Sequence, residues 1–317
     1  MNWKIDTIPW ARRLKLRHLE VFLVLNQAKS ITAAAVAMHM TQPAVSHWLA
    51  DIEVLLGTPL FVRGRQLKLT VAGDVLRRHA ERMLGDVLRT SEELTAVRSG
   101  LSGRLNVGSI LSAAPVLLPK AIARLQREHP GIFVFVVEAT LETLLERLQR
   151  RELDLIIGPL DVRAHKSGFP SELLVEDTVK VVASPGHLIA RRRKPTWKEA
   201  ASCAWIMPPA GTLMRTRLEG AFLDAKIPIP IPQIETASII TIQMLLRETD
   251  YLTVLSGSVA NLYESLGLVE GVKLASNVKF GPVGMLWEAA EPGTILSKLI
   301  AAFRYEASVL QKNIVEK

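Results

Sequence analysis

The chain has 317 residues, 49% of them hydrophobic, and a formal net charge of +8. That length exceeds one compact core and predicts two domains, the larger able to divide again. The charge is uneven, since residues 1–104 hold 15 Lys and Arg against 9 Asp and Glu, whereas residues 105–317 hold 24 against 22. The first third is therefore the part suited to an anionic partner, nucleic acid above all. A single cysteine, Cys203, excludes an internal disulfide and a multi-cysteine metal cluster, and suits a reducing compartment. No two of the seven histidines are spaced with carboxylates as a metal site needs. Lys4, Asp6, Arg12, Arg13, Lys15 and Arg17 leave no room for the apolar core of a signal peptide. No apolar run approaches the ~20 residues that span a bilayer. The expectation is a cytoplasmic protein with no membrane partner.

In chain order, Leu16, Leu19, Val21, Phe22, Leu23 and Leu25 form an apolar helical face ending near Ala28. Ser30 then caps an alanine-rich helix from Ile31 to Met38, and Thr41 caps a third, with Pro43 in its first turn and Val45, Leu49, Ile52, Leu55 and Leu56 along one face to about Gly57. Two helices joined by a tight turn, the second opening on short polar side chains, suit insertion into a DNA major groove. An ordinary helical bundle is the alternative. Against it stand Leu60-Phe61-Val62, Arg63-Gly64-Arg65 and Leu67-Lys68-Leu69, which read as a short hairpin with cations at its tip, a wing.

The runs Ser30-Ile31-Thr32-Ala33-Ala34-Ala35, Thr41-Gln42-Pro43-Ala44-Val45-Ser46, Leu56-Gly57-Thr58-Pro59-Leu60-Phe61 and Leu69-Thr70-Val71-Ala72-Gly73 resemble the N-terminal signature of LysR-type transcriptional regulators over about residues 16–98. The resemblance implies DNA contact by Thr32, Gln42, Pro43 and Ser46 in the groove and by Arg63 and Arg65 at the wing. Chemistry is available for each: Gln42 to adenine, Pro43 to a thymine methyl, Ser46 as donor or acceptor, Thr32 to a phosphate at a helix start. One departure is that His47 follows Ser46 where the family commonly has arginine, so a hydrogen-bonding imidazole stands in place of a fixed charge. No Lys or Arg lies between Lys29 and Arg63, and Asp51 and Glu53 sit in the recognition helix. Phosphate attraction then falls to Arg12, Arg13, Lys15, Arg17 and the wing.

From Thr70, residues Leu76, Ala80, Met83, Val87, Thr90, Leu94 and Val97 recur at heptad spacing along a helix of ~42 Å. Such a stripe is covered by a second chain or by the rest of its own, and the resemblance implies the former, as homodimer or homotetramer. Ser99-Gly100-Leu101-Ser102-Gly103 breaks the helix as a hinge.

Beyond it, strands alternate with helices. Strands are predicted at 105–109, 132–138, 153–158, 178–184, 204–207, 233–236, 251–255 and 278–288, and helices at 116–129, 141–151, 213–225, 239–247 and 294–310. The fold class expected is α/β overall: an N-terminal winged helix-turn-helix with its extension over 1–69, a dimerising linker helix and hinge over 70–103, and an effector-binding domain over 104–317. The resemblance likens the last part to periplasmic binding proteins, with lobe I at about 104–165 and 278–317 and lobe II at about 166–277. Ligands in such sheets sit at the carboxyl ends of strands, near helix N-termini. The candidates are Ser109, Ser112, Thr140, Thr212 and Ser238. Their hydroxyls suit an organic acid, a sulfonate or a sugar equally.

The expected partners are double-stranded DNA, a small-molecule effector, further copies of the chain and, as for other regulators of this type, RNA polymerase. A solute-binding protein of a transporter would share the lobes, yet it has no use for a helix-turn-helix and needs a signal peptide. An enzyme would require a nucleophile, a base and an orienting group, and Cys203 has no histidine near it in sequence. No cofactor, metal or catalytic residue is expected.

Overall fold

The computed structural model describes residues 8–62, 64–110, 116–274, 278–288 and 291–315. The chain forms two compact units, residues 1–95 with 149–152, and residues 96–148 with 153–317.

The first unit contains α1 (Leu16–Ala28), α2 (Ile31–Ala37), α3 (Gln42–Leu56), the two-stranded wing β1 (Phe61–Val62) and β2 (Lys68–Leu69), and most of α4 (Val71–Arg98). Each helix stops for a local reason. Lys29 takes a left-handed conformation after α1, and Gly57 does the same after α3, where the missing Cβ removes the cost. Leu19, Phe22, Leu25, Val45, Leu49 and Ile52 meet in one core that Phe61 joins from the wing, its ring 5.3 Å from that of Phe22. Thr70 locks wing to linker: its hydroxyl donates to Pro59 O at 2.8 Å and accepts from Gly73 N at 3.0 Å. The approach is so close that a Cβ on Gly73 would lie 2.2 Å from Leu60 O. Of the heptad stripe, Leu76 and Ala80 are absorbed by this core, while Met83, Val87, Leu94 and Val97 are exposed.

The second unit runs β3 (Gly103–Ser109), α5 (Leu117–Glu128), β4 (Ile132–Glu138), α6 (Leu141–Gln149), β5 (Leu155–Pro159), α7 (Val162–Lys166), β6 (Ser171–Ala183), α8 (Trp197–Ala201), β7 (Ala204–Met207), α9 (Leu213–Asp224), β8 (Ile234–Glu235), α10 (Ile239–Glu248), β9 (Tyr251–Ser256), α11 (Gly257–Ser265), β10 (Glu270–Gly271), β11 (Val278–Trp287) and α12 (Thr294–Val315). Its strands lie in the order β4-β3-β5-β11-β6-β9-β7-β8, with β10 on β6. Two parallel sets, β4-β3-β5 and β9-β7-β8, are bridged by the long antiparallel pair β11 and β6. β6 pairs with β11 along its first half and with β9 along its second, so one strand belongs to both halves of the sheet.

The register along that pair shifts between Lys279 and Gly281, opposite Asp177. Phe280 is fully buried there, and Gly281 takes φ +115°, a conformation that disfavours any side chain. The strand expected from 178 thus begins at Ser171. Glu172, Glu176 and Asp177 break the apolar alternation that would have announced it. Helices α7, α8 and α11 also go beyond the sequence expectation. Among the described residues no single helix is long and apolar enough to cross a membrane, and α1 with α2 passes that test only as a pair bent by 119°.

Candidate nucleic-acid interface and effector cleft

At the start of α3 the hydroxyl of Thr41 accepts from Ala44 N at 3.4 Å, satisfying one of the helix's open donors. Because Val45, Leu49 and Ile52 face the core, the outer face is left to exposed Gln42, Pro43 and His47 and half-buried Ser46. Thr32 is exposed in the first turn of α2, and Arg65 is exposed on the wing. Arg63 lies outside the described residues. The two carboxylates of α3 are not open repulsive charges. Glu53 Oε1 accepts from the backbone of Leu60 at 2.7 Å, holding the wing against the helix, and Asp51 lies 3.3 Å from His47 Nε2.

Beneath this face His18 is buried, edge-on to Trp48 with ring centroids 4.9 Å apart, and its Nδ1 accepts from Lys15 N at 3.0 Å. Burial, with Lys15 adding to it and Asp51 opposing, pushes the His18 imidazole below its ordinary pKa.

In the second unit a cleft of about 530 Å³ opens at the carboxyl ends of the strands. The starts of four helices reach it. Thr140 caps α6, accepting from Thr143 N at 3.4 Å. Thr212 caps α9, accepting from Arg215 N at 3.3 Å and donating to Pro209 O at 2.8 Å. Ser238 caps α10 and accepts from both Thr241 N, at 3.3 Å, and Thr241 Oγ1, at 2.9 Å. The fourth, α11, follows Ser256, which also lines the cleft.

Buried Arg215 fixes the loop before α9, donating to Pro208 O at 3.2 Å and to Glu235 at 2.9 Å. Among the described residues Arg163 is the one cation in the lining, and it is committed to Asp161, at 2.6 Å, and to Glu142. Burial would raise the Asp161 carboxyl, but Arg163 and the backbone amides of Ala164 and Arg163 outweigh it and hold the pKa below the usual range.

The structure thus brings Thr140, Thr212 and Ser238 to one cleft. Ser109 is buried at the end of β3 and does not line it, and Ser112 lies outside the described residues. Sequence reasoning missed Ser256, although it ends a strand and precedes a helix as the other candidates do. Gly257, a poor helix former, hid the helix that follows. Among the described residues no group of three or more His, Cys, Asp or Glu could hold a metal ion.

A winged helix-turn-helix joined to a two-lobed α/β unit with a cleft defines a ligand-responsive DNA-binding regulator. Family models match on both parts: the bacterial regulatory helix-turn-helix protein of the lysR family over residues 16–74, and the LysR substrate binding domain over 98–307. The chain belongs to the LysR family of transcriptional regulators. It is 31% identical over 293 residues to the HTH-type transcriptional regulator GbpR of Azospirillum brasilense, covering 92% of this chain and 84% of the relative. It is 27% identical to PcaQ of Agrobacterium fabrum, covering 94% and 97%. Among solved structures, CbnR, a LysR family regulator, superposes with a TM-score of 0.61 at 19% identity, over 93% of this chain and 99% of that one.

The depressed pKa of His18 has a pH consequence. The unfolded chain takes up a proton near the ordinary value of 6.5 while the folded unit resists it, so this stabilisation is complete above that pH and is lost as pH falls below it. Urea unfolding of the first unit between pH 7.5 and 5.5 should show falling stability, with a flatter pH slope in His18→Gln. An equal slope in the variant would assign the effect elsewhere.

Proposed function

We propose that the exposed start of α3 reads bases in the major groove through Gln42, Pro43, Ser46 and His47, with Thr32 on a phosphate and Arg63 and Arg65 of the wing alongside. The observation that carries this reading is the division of labour in α3. Thr41 satisfies the helix end and Glu53 the wing, and among the described residues the outer side chains make no structural bond other than the contact between His47 and Asp51. A protein of similar fold, full-length CbnR, has been solved in complex with its target DNA. Double-stranded DNA as the partner here implies action in the cytoplasm, and RNA polymerase is the protein partner such a regulator would meet.

The effector, a small organic acid, sulfonate or sugar, occupies the cleft against Thr140, Thr212 and Ser238. Ser109, at the end of β3, stands beside this site through its carbonyl, which accepts from the backbone of the lining residue Ala139 at 3.3 Å, and Ser112 follows it in sequence. Binding changes the angle between lobe I (about 104–165 and 278–317) and lobe II (about 166–277) through the β6–β11 pair, and the 70–103 linker passes the change to the paired 1–69 domains. Catalysis is no part of this function. Burial, reinforced by Glu199, raises the pKa of the Cys203 thiol, the opposite of what a nucleophile needs.

Pairing through α4 is supported by the exposed stripe Met83, Val87, Leu94 and Val97, which a lone chain leaves wet. Replacing Val87 and Leu94 together by glutamate should reduce the mass in solution from a dimer or tetramer to the 35.0 kDa chain, measured by light scattering. An unchanged mass would move the interface elsewhere. Gln42→Ala should weaken binding to DNA from upstream of the protein's own gene by about 1–3 kcal/mol while leaving binding to scrambled DNA unaltered. Equal loss on both DNAs would make Gln42 a structural residue rather than a reader.

A further inference from the structure

Ser256 differs from the other three residues that open helices on the cleft. It is only 2% exposed, and its hydroxyl makes no hydrogen bond among the described residues, not even the capping bond to its own helix that Thr140, Thr212 and Ser238 make. A buried hydroxyl without a partner is costly, and one retained at a cleft calls for a partner that arrives there. Thr253, the other unpartnered hydroxyl of β9, does not line the cleft.

The helix behind Ser256 is itself pinned. Asp177, beside the crossing of the two half-sheets, accepts from Ser258 N at 3.2 Å and from Ser258 Oγ at 2.6 Å. Gly257 packs so tightly on β6 that a Cβ would lie 2.2 Å from Thr178 Oγ1. The N-terminus of α11 is therefore held in place with the hydroxyl of Ser256, the residue before it, unspent. A serine hydroxyl has three staggered positions, so a ligand oxygen seated there can recruit it at small cost.

We infer that Ser256 and the N-terminus of α11 form the subsite for the carboxylate of an apolar-bodied acid. This rests on the cleft being the effector site. The positive end of the helix and a free O–H offer what a carboxylate needs, where Arg163, the one lining cation among the described residues, is already paired. Ser238, whose oxygen already accepts two bonds, keeps its hydrogen for the second carboxylate oxygen. Ile110, Leu141, Leu213, Ile239, Val254 and Val259 supply aliphatic walls for the body. A polyol would demand a partner for each hydroxyl, and among the described residues this lining is too poor in free polar groups to provide them. Glu138, on the opposite wall, disfavours a second anionic group at that end and accepts a donor on the ligand.

The test uses the full chain at pH 7.5 and thermal shift with benzoate, phenylacetate and hexanoate, their neutral amides, and glucose. Wild type should be stabilised by at least one acid, and its amide should bind at least tenfold more weakly. Ser256→Ala should lose at least tenfold in acid affinity while the unliganded protein melts at the same temperature or about 2–4 °C higher, because an unsatisfied buried group has been removed. A lower melting temperature for unliganded Ser256→Ala with unchanged acid affinity overturns the proposal. So does an amide that matches its acid, or a wild type that answers to glucose alone or to none of the probes. Thr140→Ala separates failure of the subsite from failure of the cleft. If it weakens acid binding and Ser256→Ala does not, the subsite fails and the cleft stands; if neither matters, the cleft reading itself fails.

Discussion

The second unit depends on one crossing. β6 is the strand common to both halves of the sheet, and it passes from one to the other at Val179, which pairs with both Val278 and Ser256, two residues beyond Asp177, which lies opposite Gly281 with Phe280 buried beside it. Asp177 is buried, and its carboxylate is satisfied by Thr178 N and by both donors of Ser258, N and Oγ. A buried carboxylate deprived of these donors would be expensive, so the start of α11 and the crossing are bound to move together. That start also forms part of the cleft. A ligand seated there would act beside the strand that the two halves share, which gives the proposed lobe movement a physical route.

The proposed DNA-reading surface follows a different economy. Its affinity for phosphate cannot come from the recognition helix, which holds no Lys or Arg, and must come from the flanking basic residues, of which Arg17 is itself paired with Glu20 at 2.8 Å. On the proposed reading, the hydrogen-bonding side chains on α3 contribute discrimination more than attraction. The acidic residues that look unfavourable in sequence are in part structural. Glu53 ties the wing to α3, so losing it would disturb the position of the wing before it relieved any repulsion.

Much of this is legible in the sequence, because helices α1 to α3 carry an apolar period, α2 and α3 open on explicit hydroxyl caps, and the parallel strands are short apolar runs bounded by turns. Thr140, Thr212 and Ser238 follow from the same logic, a hydroxyl at a strand end before a helix. The first half of β6 is hidden by Glu172, Glu176 and Asp177, of which Asp177 serves the crossing and Glu172 an ion pair to Arg304. Ser256 is hidden by the glycine after it. The burial of Ser109 depends on neighbours distant in the chain, which no local pattern reports. The heptad stripe is visible as a period, but its division between a core that takes Leu76 and Ala80 and an exposed remainder is a property of packing.

Occupancy of the cleft is, on this account, communicated to the DNA-binding domains. Footprinting the full chain on the DNA upstream of its own gene, with and without a saturating acid that stabilises it in solution, tests this most directly. Coupling requires the two DNA-bound arrangements to differ in affinity for that acid, so a changed length or position of protection is predicted. An acid that binds at saturation in the DNA complex and leaves the footprint identical would contradict it.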